Sequence, residues 1–562
     1  MSSLLTPNRP YDTQPAAPVT IPVPVISYNV AQLTGTQFLA WDNVNGRART
    51  EYYRFPGGAN RAGTSGADLT ASVEQPYTNA DITTAHCWAI ETVIDCASFE
   101  WDYRVQEACQ NFRVYINGQL ALDSFDSSLI VKDVFDGTTT IALPKIGGAR
   151  AGTGSGVAGS GTYAVGDHVF FKFAFGKRVK VHVRIESGGR FGMYGLRTDD
   201  ATGSCTPPFG TNKVKCFGCG DSTWTAQGAL NAAGEANSWP WVSTPALACK
   251  ALGWDFKSLS NGGRGWAKNF SNTVKLCIGD SLLPPKNSWY FTETYTVAPT
   301  SFTITYNGQT TGSIAYSATA DTRAANINAA LATTFGTDAY GRNNVQFGEG
   351  YAVDRVTGLK GLFISRLADT NPPSVTFTGG TASWTGFTAW QGDLMQSLTA
   401  MGMTRTSRFV VLLAGGGNDL SAGMSNAQIA GAYGDCVDKL KGRIDSAVSG
   451  GFPNAVIIAT GCLQDKTMLA NALGRGTSDN AIYNVLKDKL DKINGVVPFI
   501  SWHKPVLDTP TSIGTLDVNF DALAGFDFMS AGDGAHLLAT GYFRQGYLLA
   551  TRIGAMFSAV GA

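Results

Sequence analysis

Two segments of this chain carry the residue types of nucleophilic catalysis. Ser222 follows the short apolar run and glycines of residues 214–220, and the proline-free residues 224–233 predict the start of a helix. A serine there would lie at a strand's carboxyl end and a helix's amino end, where free N–H groups favour a developing negative charge. Further along, Asp533 precedes His536 by three residues. An imidazole oriented by a carboxylate can deprotonate a serine hydroxyl, which would make that serine a nucleophile.

Two other glycine-rich segments could supply hydrogen-bond donors to an oxyanion. Residues 258–266 follow a predicted helix and strand, and the buried-strand run of residues 409–414 ends in three glycines before Asn418. Glycine lets the backbone come close to a substrate, and an amide side chain donates N–H groups. One oxyanion donor is typically worth about 3–4 kcal/mol of the barrier.

These four segments, in this order, resemble the four sequence blocks of the SGNH, or GDSL, hydrolase family. The resemblance implies a serine esterase with Ser222 as nucleophile, His536 as general base and Asp533 as the acid that orients it. It also implies an oxyanion hole formed by the N–H of Ser222, the N–H of Gly263 and the side chain of Asn418. We therefore expect a three-layer α/β/α domain with a parallel sheet.

Three of these assignments have rivals in the sequence. Gly263-Arg264 resembles the glycine-then-polar pair of the family's second block, but Gly265 replaces a frequent small hydroxyl residue and is the second choice for the oxyanion glycine. A second Gly-Asp-Ser ends at Ser281, where two nearby prolines disfavour a helix directly behind it. His503 also lies among the blocks, without an acid at the family's spacing. Ser222 and His536 are preferred.

Side chains that flank the proposed site could bind a sugar. Trp224 and Trp266 could form the walls of a pocket and Arg264 could contact an acidic glycan, but packing of the loops explains the tryptophans equally well. Cys216 and Cys219 form a Cys-x-x-Cys beside Ser222, yet no second pair lies at zinc-ligand spacing. A structural role is favoured for both cysteines, and no metal or cofactor is predicted.

Composition restricts the class of function. Lysine plus arginine equals aspartate plus glutamate, at 43 each, so no net charge favours nucleic acid or an anionic membrane surface. No run approaches the roughly 18 apolar residues that span a bilayer. The N-terminus contains prolines throughout and does not resemble a signal peptide. Ten scattered cysteines without a secretion signal predict mostly reduced thiols.

Turn signals and periodicity divide the chain into five segments. We predict a proline-rich arm over residues 1–27 and a β-sandwich of jelly-roll type over residues 28–205. The hydrolase domain is expected in two parts, over residues 206–290 and 386–562. Between them, the threonine- and glycine-rich residues 291–385 predict a small inserted α+β module, since an insertion is tolerated where its ends lie close together.

The resemblance, taken with this organisation, implies an O-acetyl esterase that acts on bacterial surface polysaccharide or lipopolysaccharide. The absent signal peptide, the proline-rich arm and a loose likeness of the insert to phage tail modules favour a phage tail fibre or tailspike. The arm would then dock to other tail proteins, and a homotrimer is one expectation. A secreted bacterial carbohydrate esterase is the alternative among enzymes. A receptor-binding or structural virion protein without turnover is the alternative outside them.

Overall fold

The computed structural model describes most of the β-rich first part and of the α/β part of the chain. Asp533, His536 and His503 lie outside the described residues, as does nearly all of the predicted N-terminal arm. The described ranges are 23–28, 33–42, 47–56, 60–62, 70–72, 88–105, 112–125, 130–133, 140–142, 168–187, 191–209, 213–225, 241, 243–260, 262–267, 276–349, 361–444, 451–461, 472–501 and 539–558.

An antiparallel β-domain comes first. Twelve of its strands form one sheet in the order β11-β10-β9-β8-β12-β7-β13-β6-β5, with β1 paired to β12, β2 to β13 and β14 to β7, while β3 pairs with β4. The strands are β1 (Val25–Tyr28), β2 (Gln37–Leu39), β3 (Trp41–Asp42), β4 (Arg47–Ala48), β5 (Asn60–Ala62), β6 (Thr70–Ser72), β7 (Trp88–Val105), β8 (Phe112–Ile116), β9 (Gln119–Phe125), β10 (Ile130–Asp133), β11 (Thr140–Ala142), β12 (His168–Ser187), β13 (Phe191–Thr198) and β14 (Ser204–Thr206).

The two long strands β7 and β12 form the centre of this domain. They pair along their length, and their register shifts between Ala174 and Val179. Buried side chains from both sides of the shift, including Ile94, Phe99 and Val183, belong to one core. The irregularity therefore lets both halves of the strand pair face a common interior, as in a sandwich. The jelly-roll topology itself stays a prediction.

The remaining elements belong to the α/β domain and its insert. In chain order they are β15 (Lys215–Cys219), α1 (Thr244–Leu252), β16 (Asp255–Ser258), α2 (Ile278–Leu282), β17 (Asn287–Val297), β18 (Ser301–Tyr306), β19 (Gln309–Thr310), β20 (Ile314–Ala315), α3 (Ala320–Phe335), β21 (Val345–Glu349), β22 (Gly361–Ser365), β23 (Ser374–Thr378), β24 (Thr381–Ala389), α4 (Gly392–Ala400), β25 (Phe409–Leu413), α5 (Gly417–Ser421), α6 (Asn426–Ile444), β26 (Ala455–Thr460), α7 (Ala472–Leu486), β27 (Phe499–Ile500) and α8 (Ala539–Ser558).

A five-stranded parallel sheet forms the centre of the α/β domain, in agreement with the sequence prediction. Its order is β16-β15-β25-β26-β27. One apolar core lies between the sheet and helices α1 and α8, and a second lies between the sheet and helices α2, α4, α6 and α7. All five residues of β25 are buried, as expected for a strand covered on both faces. None of the described helices has the length and hydropathy needed to cross a bilayer.

The insert builds its own antiparallel core between α2 and α4. Its strands form two sheets, β21-β22-β17-β24 and β19-β18-β20 with β23 on β18, and α3 packs with them. These strands run from Asn287 to Ala389. The N–H of Trp390 donates to the carbonyl of Ser288 over 2.8 Å. The entry and exit of the insert are therefore adjacent, which leaves the parallel sheet uninterrupted.

A buried ionic cluster joins the insert to the α/β domain. Asp280 of α2 is fully buried and pairs with Arg366 of the insert and, at 3.8 Å, with Lys439 of α6. Arg342 of the insert pairs with Asp435 of α6 at 2.9 Å. Burial alone would raise the pKa of the Asp280 carboxyl, but Arg366 and Lys439 outweigh burial and hold that pKa well below its usual value. The carboxylate is thus charged and matched by cations from both domains.

A second buried cluster joins the β-domain to the parallel sheet. The guanidinium of Arg54 donates to Glu91 of β7 and to Asp255 of β16, and Lys215 of β15 also bonds Asp255. Arg184 of β12 bonds Glu91 from the other side. These charges link β-strands of one domain with the first two strands of the other.

Removing Arg54, the central cation of this second cluster, should lower the stability of the protein. Arg54→Ala leaves Glu91 and Asp255 buried with one partner fewer each, so we expect the free energy of unfolding to fall by about 3–5 kcal/mol. Urea denaturation followed by tryptophan fluorescence measures the change. Lys441→Ala is the control, because the Lys441 side chain is partly exposed and its pair with the 77% exposed Asp491 should be worth about 0–1 kcal/mol. Equal losses in the two variants would contradict this account.

Candidate active site

The segment that carries Ser222 forms a tight turn at the carboxyl end of β15. Asp221 Oδ1 accepts hydrogen bonds from Thr223 N at 3.0 Å and from Thr223 Oγ1 at 2.6 Å, which makes an Asx turn. A Cβ on Gly220 would lie 3.0 Å from the Trp224 side chain, so a larger residue there would have to displace the indole slightly. Residues 222–225 form one 3₁₀ turn rather than an α-helical start, and residues 226–233 lie outside the described residues. Ser222 itself is 8% exposed.

The glycine loop after β16 is fastened to the strand that leads to Ser222. The N–H of Leu259 and the hydroxyl of Ser260 both donate to the carbonyl of Gly218, over 2.7 and 3.1 Å. Gly263 has φ +74°, a left-handed conformation that favours glycine. The loop carrying the proposed oxyanion glycine therefore starts beside the nucleophile turn.

The loop after β25 is bonded directly to the same glycine loop. Asn418 Nδ2 donates to the carbonyl of Arg264 over 2.9 Å. The buried carboxylate of Asp419 accepts from the N–H groups of Trp266 and Ala267 over 2.7 and 2.8 Å. A Cβ on Gly265 would lie 2.5 Å from the Asp419 carboxylate. Close approach to Asp419 therefore explains why residue 265 is glycine.

Sheet order brings these three loops to one place. Strands β16, β15 and β25 are neighbours and parallel, so their carboxyl ends lie at the same edge. The N–H of Ala414 also donates to the carbonyl of Cys219 over 2.9 Å. The structure thus assembles three of the four predicted blocks, those of Ser222, Gly263 and Asn418.

The last helix begins at this same edge. Thr244 Oγ1, at the start of α1, donates to Gln545 Oε1 of α8 over 2.8 Å. Towards the other end of both helices, Gly554 faces Leu252. Helix α8 therefore runs parallel to α1, which starts on the carboxyl side of the strands because it connects β15 to β16. The assignments of Asp533 and His536 stay predictions, because both residues lie outside the described residues.

The predicted substrate-binding side chains are interior in the described structure. Trp224 and Trp266 are both 0% exposed and belong to different cores, on opposite sides of the sheet. The Trp266 ring stacks on Tyr433 at a centroid distance of 3.9 Å. Arg264 is also buried, and its guanidinium bonds Ser281. This placement does not support the expectation that the three side chains line a sugar pocket.

The second Gly-Asp-Ser is not at the end of a strand of the parallel sheet. Ser281 lies inside the short helix α2, is 2% exposed and bonds Arg264 and Asp393. Its neighbour Asp280 belongs to the ionic cluster of the insert. The position of this motif gives Ser281 none of the strand-to-helix geometry that favours a nucleophile.

The Cys-x-x-Cys of β15 is divided between the two faces of the sheet. Cys216 belongs to the core beneath α1 and α8, and Cys219 belongs to the opposite core. Residues three apart on a strand point to opposite faces. Burial raises the pKa of the Cys219 thiol well above its usual value. The pair is therefore placed as two separate packing residues.

Two residues that shape this site, Asp419 and Asp393, were not among the residues predicted from the sequence. Asp419 fixes the glycine loop through two backbone N–H groups. Asp393, at the start of α4, reaches the same loop through Ser281 and lies 4.0 Å from the guanidinium of Arg264. Asp419 directly follows the predicted Asn418, which is the one signal that could have identified it.

Comparison with known proteins gives distant structural likenesses. No protein-family model and no curated protein matches the chain. A family two carbohydrate esterase from Cellvibrio japonicus aligns with TM-score 0.43 and 12% identity over 96% of this chain and 100% of that one. An acetyl xylan esterase from Butyrivibrio proteoclasticus aligns with TM-score 0.41 and 10% identity over 92% of this chain and 97% of that one. An active-site mutant of a family two carbohydrate esterase from Clostridium thermocellum gives TM-score 0.41 and 11% identity over 86% and 96%. Because these TM-scores are below 0.5, the functional assignment rests on this chain's own residues.

The contact between Gly265 and Asp419 predicts a steric effect. Gly265→Ala would drive a methyl group into the Asp419 carboxylate, so we expect a loss of about 1–3 kcal/mol of unfolding free energy. Gly442→Ala is the control, because Gly442 is exposed on α6 with open space around it and should gain about 0.5–1 kcal/mol. Chemical denaturation of both variants decides the point. A neutral or stabilising Gly265→Ala would show that the loop has room there.

The carboxyl of Asp393 predicts a pH-dependent stability. Burial raises its pKa to about 6, against opposing effects of Arg264, Ser281 and Lys257. The folded state then binds the proton more tightly than the unfolded state, whose carboxyl titrates near 4, so stability should fall as pH rises from about 4 to 6. The whole effect is about 3 kcal/mol.

Asp393→Asn removes this titration. The melting temperature of the variant, relative to the natural protein, should therefore rise between pH 4 and pH 7 in thermal scans at matched ionic strength. Asp491→Asn, which changes a 77% exposed carboxylate, serves as the control and should show no such trend. A constant difference for Asp393→Asn across this range would disprove the raised pKa.

Proposed function

We propose that this protein is a serine esterase that works through an acyl-enzyme, with Ser222 as nucleophile, His536 as general base and Asp533 as the acid that orients the imidazole. The observation that carries the proposal is the meeting of three loops at the carboxyl edge of β16, β15 and β25. There the turn of Ser222 lies beside a glycine loop that is already bonded to Asn418. Acyl transfer requires a nucleophile beside fixed oxyanion donors, and the meeting of these loops supports that role for them.

The proposed oxyanion hole uses donors of three kinds. The N–H of Ser222 begins the 3₁₀ turn, and the N–H of Gly263 belongs to a residue with left-handed φ. An amide NH₂ group has two hydrogens, so Asn418 can bond the carbonyl of Arg264 with one and direct the other at an oxyanion. The first of these bonds also fixes the amide in place, which is the preorganisation that makes such donors effective.

The catalytic cycle follows from these roles. His536 accepts the hydroxyl proton of Ser222 as Oγ attacks the ester carbonyl carbon, and the three donors stabilise the oxyanion. Collapse of this intermediate breaks the bond to the alcohol oxygen, which takes the proton from His536. Water, deprotonated by the same imidazole, then attacks the acyl-serine and releases the acid and Ser222. The start of α8 at this edge supports the role of His536, which precedes Ala539 by three residues.

As the substrate class we propose O-acetylated polysaccharide of the bacterial surface. The support is the chain's resemblance to SGNH hydrolases, together with an antiparallel β-domain that precedes the hydrolase domain and is bonded to it through Arg54 and Asp255. The proline-rich arm and the insert favour a phage tail as the setting, with a secreted bacterial esterase as the alternative. Acetate release from purified capsular and lipopolysaccharide fractions, against deacetylated samples, tests the substrate class.

Hydrolysis of an aryl acetate by the full-length protein tests the activity itself. Ser222→Ala and His536→Ala should each lower kcat by at least about 10³-fold, since triad members act as a unit. The natural protein should show a burst of phenol equal to the enzyme present, and Ser222→Ala should show none. His503→Ala is the matched control and should keep its kcat. Equal rates for the natural protein and Ser222→Ala would refute the proposed esterase activity. Retained binding to polysaccharide would then favour a receptor-binding protein.

A further inference from the structure

The second Gly-Asp-Ser has no part in the proposed catalysis, yet it lies where the insert meets the hydrolase domain. Its helix, α2, directly precedes the insert, and α4 directly follows it. The two helices touch closely, because a Cβ on Gly392 would lie 2.5 Å from the carbonyl oxygen of Leu282. The helix that contains Ser281 and the helix that contains Asp393 therefore form the base of the insert.

The hydroxyl of Ser281 connects a cation of the glycine loop to a carboxylate of this base. Ser281 Oγ accepts a hydrogen bond from Arg264 Nη1 and donates one to Asp393 Oδ2. Arg264 is 4% and Ser281 2% exposed. One hydroxyl is thus used as acceptor and donor at once, in an interior where such bonds are strong.

Arg264 carries this connection into the proposed oxyanion hole. It directly follows Gly263, and its carbonyl accepts the Asn418 amide over 2.9 Å. The side chain is held by Ser281 while the main chain is held by Asn418. A shift of Arg264 would therefore move both proposed donors.

The rest of the loop is held independently of Ser281. Asp419 bonds the N–H groups of Trp266 and Ala267, and the carbonyl of Gly265 accepts from the N–H of Ile278 over 2.9 Å. These bonds fix the loop from residue 265 onwards. The Gly265 bond also reaches α2, but through the main chain, whereas Arg264 reaches Ser281 of the same helix through its side chain.

We propose that Ser281 and Asp393 are positioning residues that hold the Gly263–Arg264 segment of the oxyanion hole, and so couple the base of the insert to catalysis. This inference rests on the proposed esterase function and adds a role for the second Gly-Asp-Ser. Neither residue touches the substrate. They act through the guanidinium of Arg264, which Asp393 also balances electrostatically at 4.0 Å.

Ser281→Ala in the full-length protein tests the proposal. It should lower kcat for an aryl acetate 10- to 100-fold and change KM less than threefold, because misplaced donors lose transition-state binding rather than ground-state binding. Hydrogen exchange followed by mass spectrometry should show faster exchange in peptides that cover residues 262–264. The fixed part of the loop, residues 265–267, should keep its protection.

A matched control separates positioning from loss of stability. Ser288→Ala removes another buried hydroxyl, one that donates to the carbonyl of Pro285 over 2.9 Å within the insert. It should lower the melting temperature about as much as Ser281→Ala but leave kcat unchanged. Equal losses of kcat in the two variants would overturn the proposal.

A double-mutant cycle with Arg264→Met tests the route of the effect. If Ser281 acts through Arg264, the double variant should lose no more kcat than Arg264→Met alone. Additive losses would refute this route, as would a Ser281→Ala enzyme with kcat within twofold of the natural protein. If the natural protein hydrolyses no ester, the esterase proposal fails, and hydrogen exchange alone then decides whether Ser281 holds the loop.

Discussion

The arrangement of the site depends on one constraint, the parallel alignment of three neighbouring strands. Because β16, β15 and β25 run side by side in the same direction, the loops that leave them must start within a few ångströms of one another. Direct hydrogen bonds can therefore connect these loops, and they do so at Gly218, Arg264 and Asp419. Segments almost two hundred residues apart in sequence thus form one surface.

Buried ion pairs connect the β-domain and the insert to the α/β domain, whereas each of these units has its own apolar core. Arg54 joins the β-domain to the sheet, and Asp280 joins the insert to α6. Buried ion pairs add little net stability compared with apolar contacts. They do restrict the relative position of the two domains, because a displacement would leave a buried charge unpaired. Such joints suit a protein in which several independently packed units must keep one relative position.

The glycine loop contributes both to an apolar core and to a buried polar contact with the base of the insert. Its tryptophan lies in the apolar core against Tyr433, and its arginine ends at the base of the insert. The site is therefore supported from the insert side through Ser281, although the insert lies outside the parallel sheet. The strands of the insert, over residues 287–389, thus follow a glycine loop that is bonded to the helix at their base.

Local patterns in the chain specify many of its strands and helices and identify the residues that could take part in catalysis. The uniform apolar run of residues 409–413 predicts the buried strand β25, and Asn117-Gly118 after an alternating run predicts a hairpin turn, which the structure forms with φ of 51° and 80°. The pattern of residues 480–493 predicts a helix but misplaces its bounds, because α7 starts at Ala472 and ends at Leu486.

Residues whose local pattern fits two roles are distinguished by their long-range contacts. Trp224 and Trp266 have the same local signature whether they line a pocket or fill a core, and their burial depends on helices distant in sequence. Gly265 faces Asp419 because the sheet order brings their loops together, and Ser281 faces Arg264 because α2 lies against the glycine loop. The residue type determines which groups can pack or form hydrogen bonds. Long-range packing determines which other residues those groups contact.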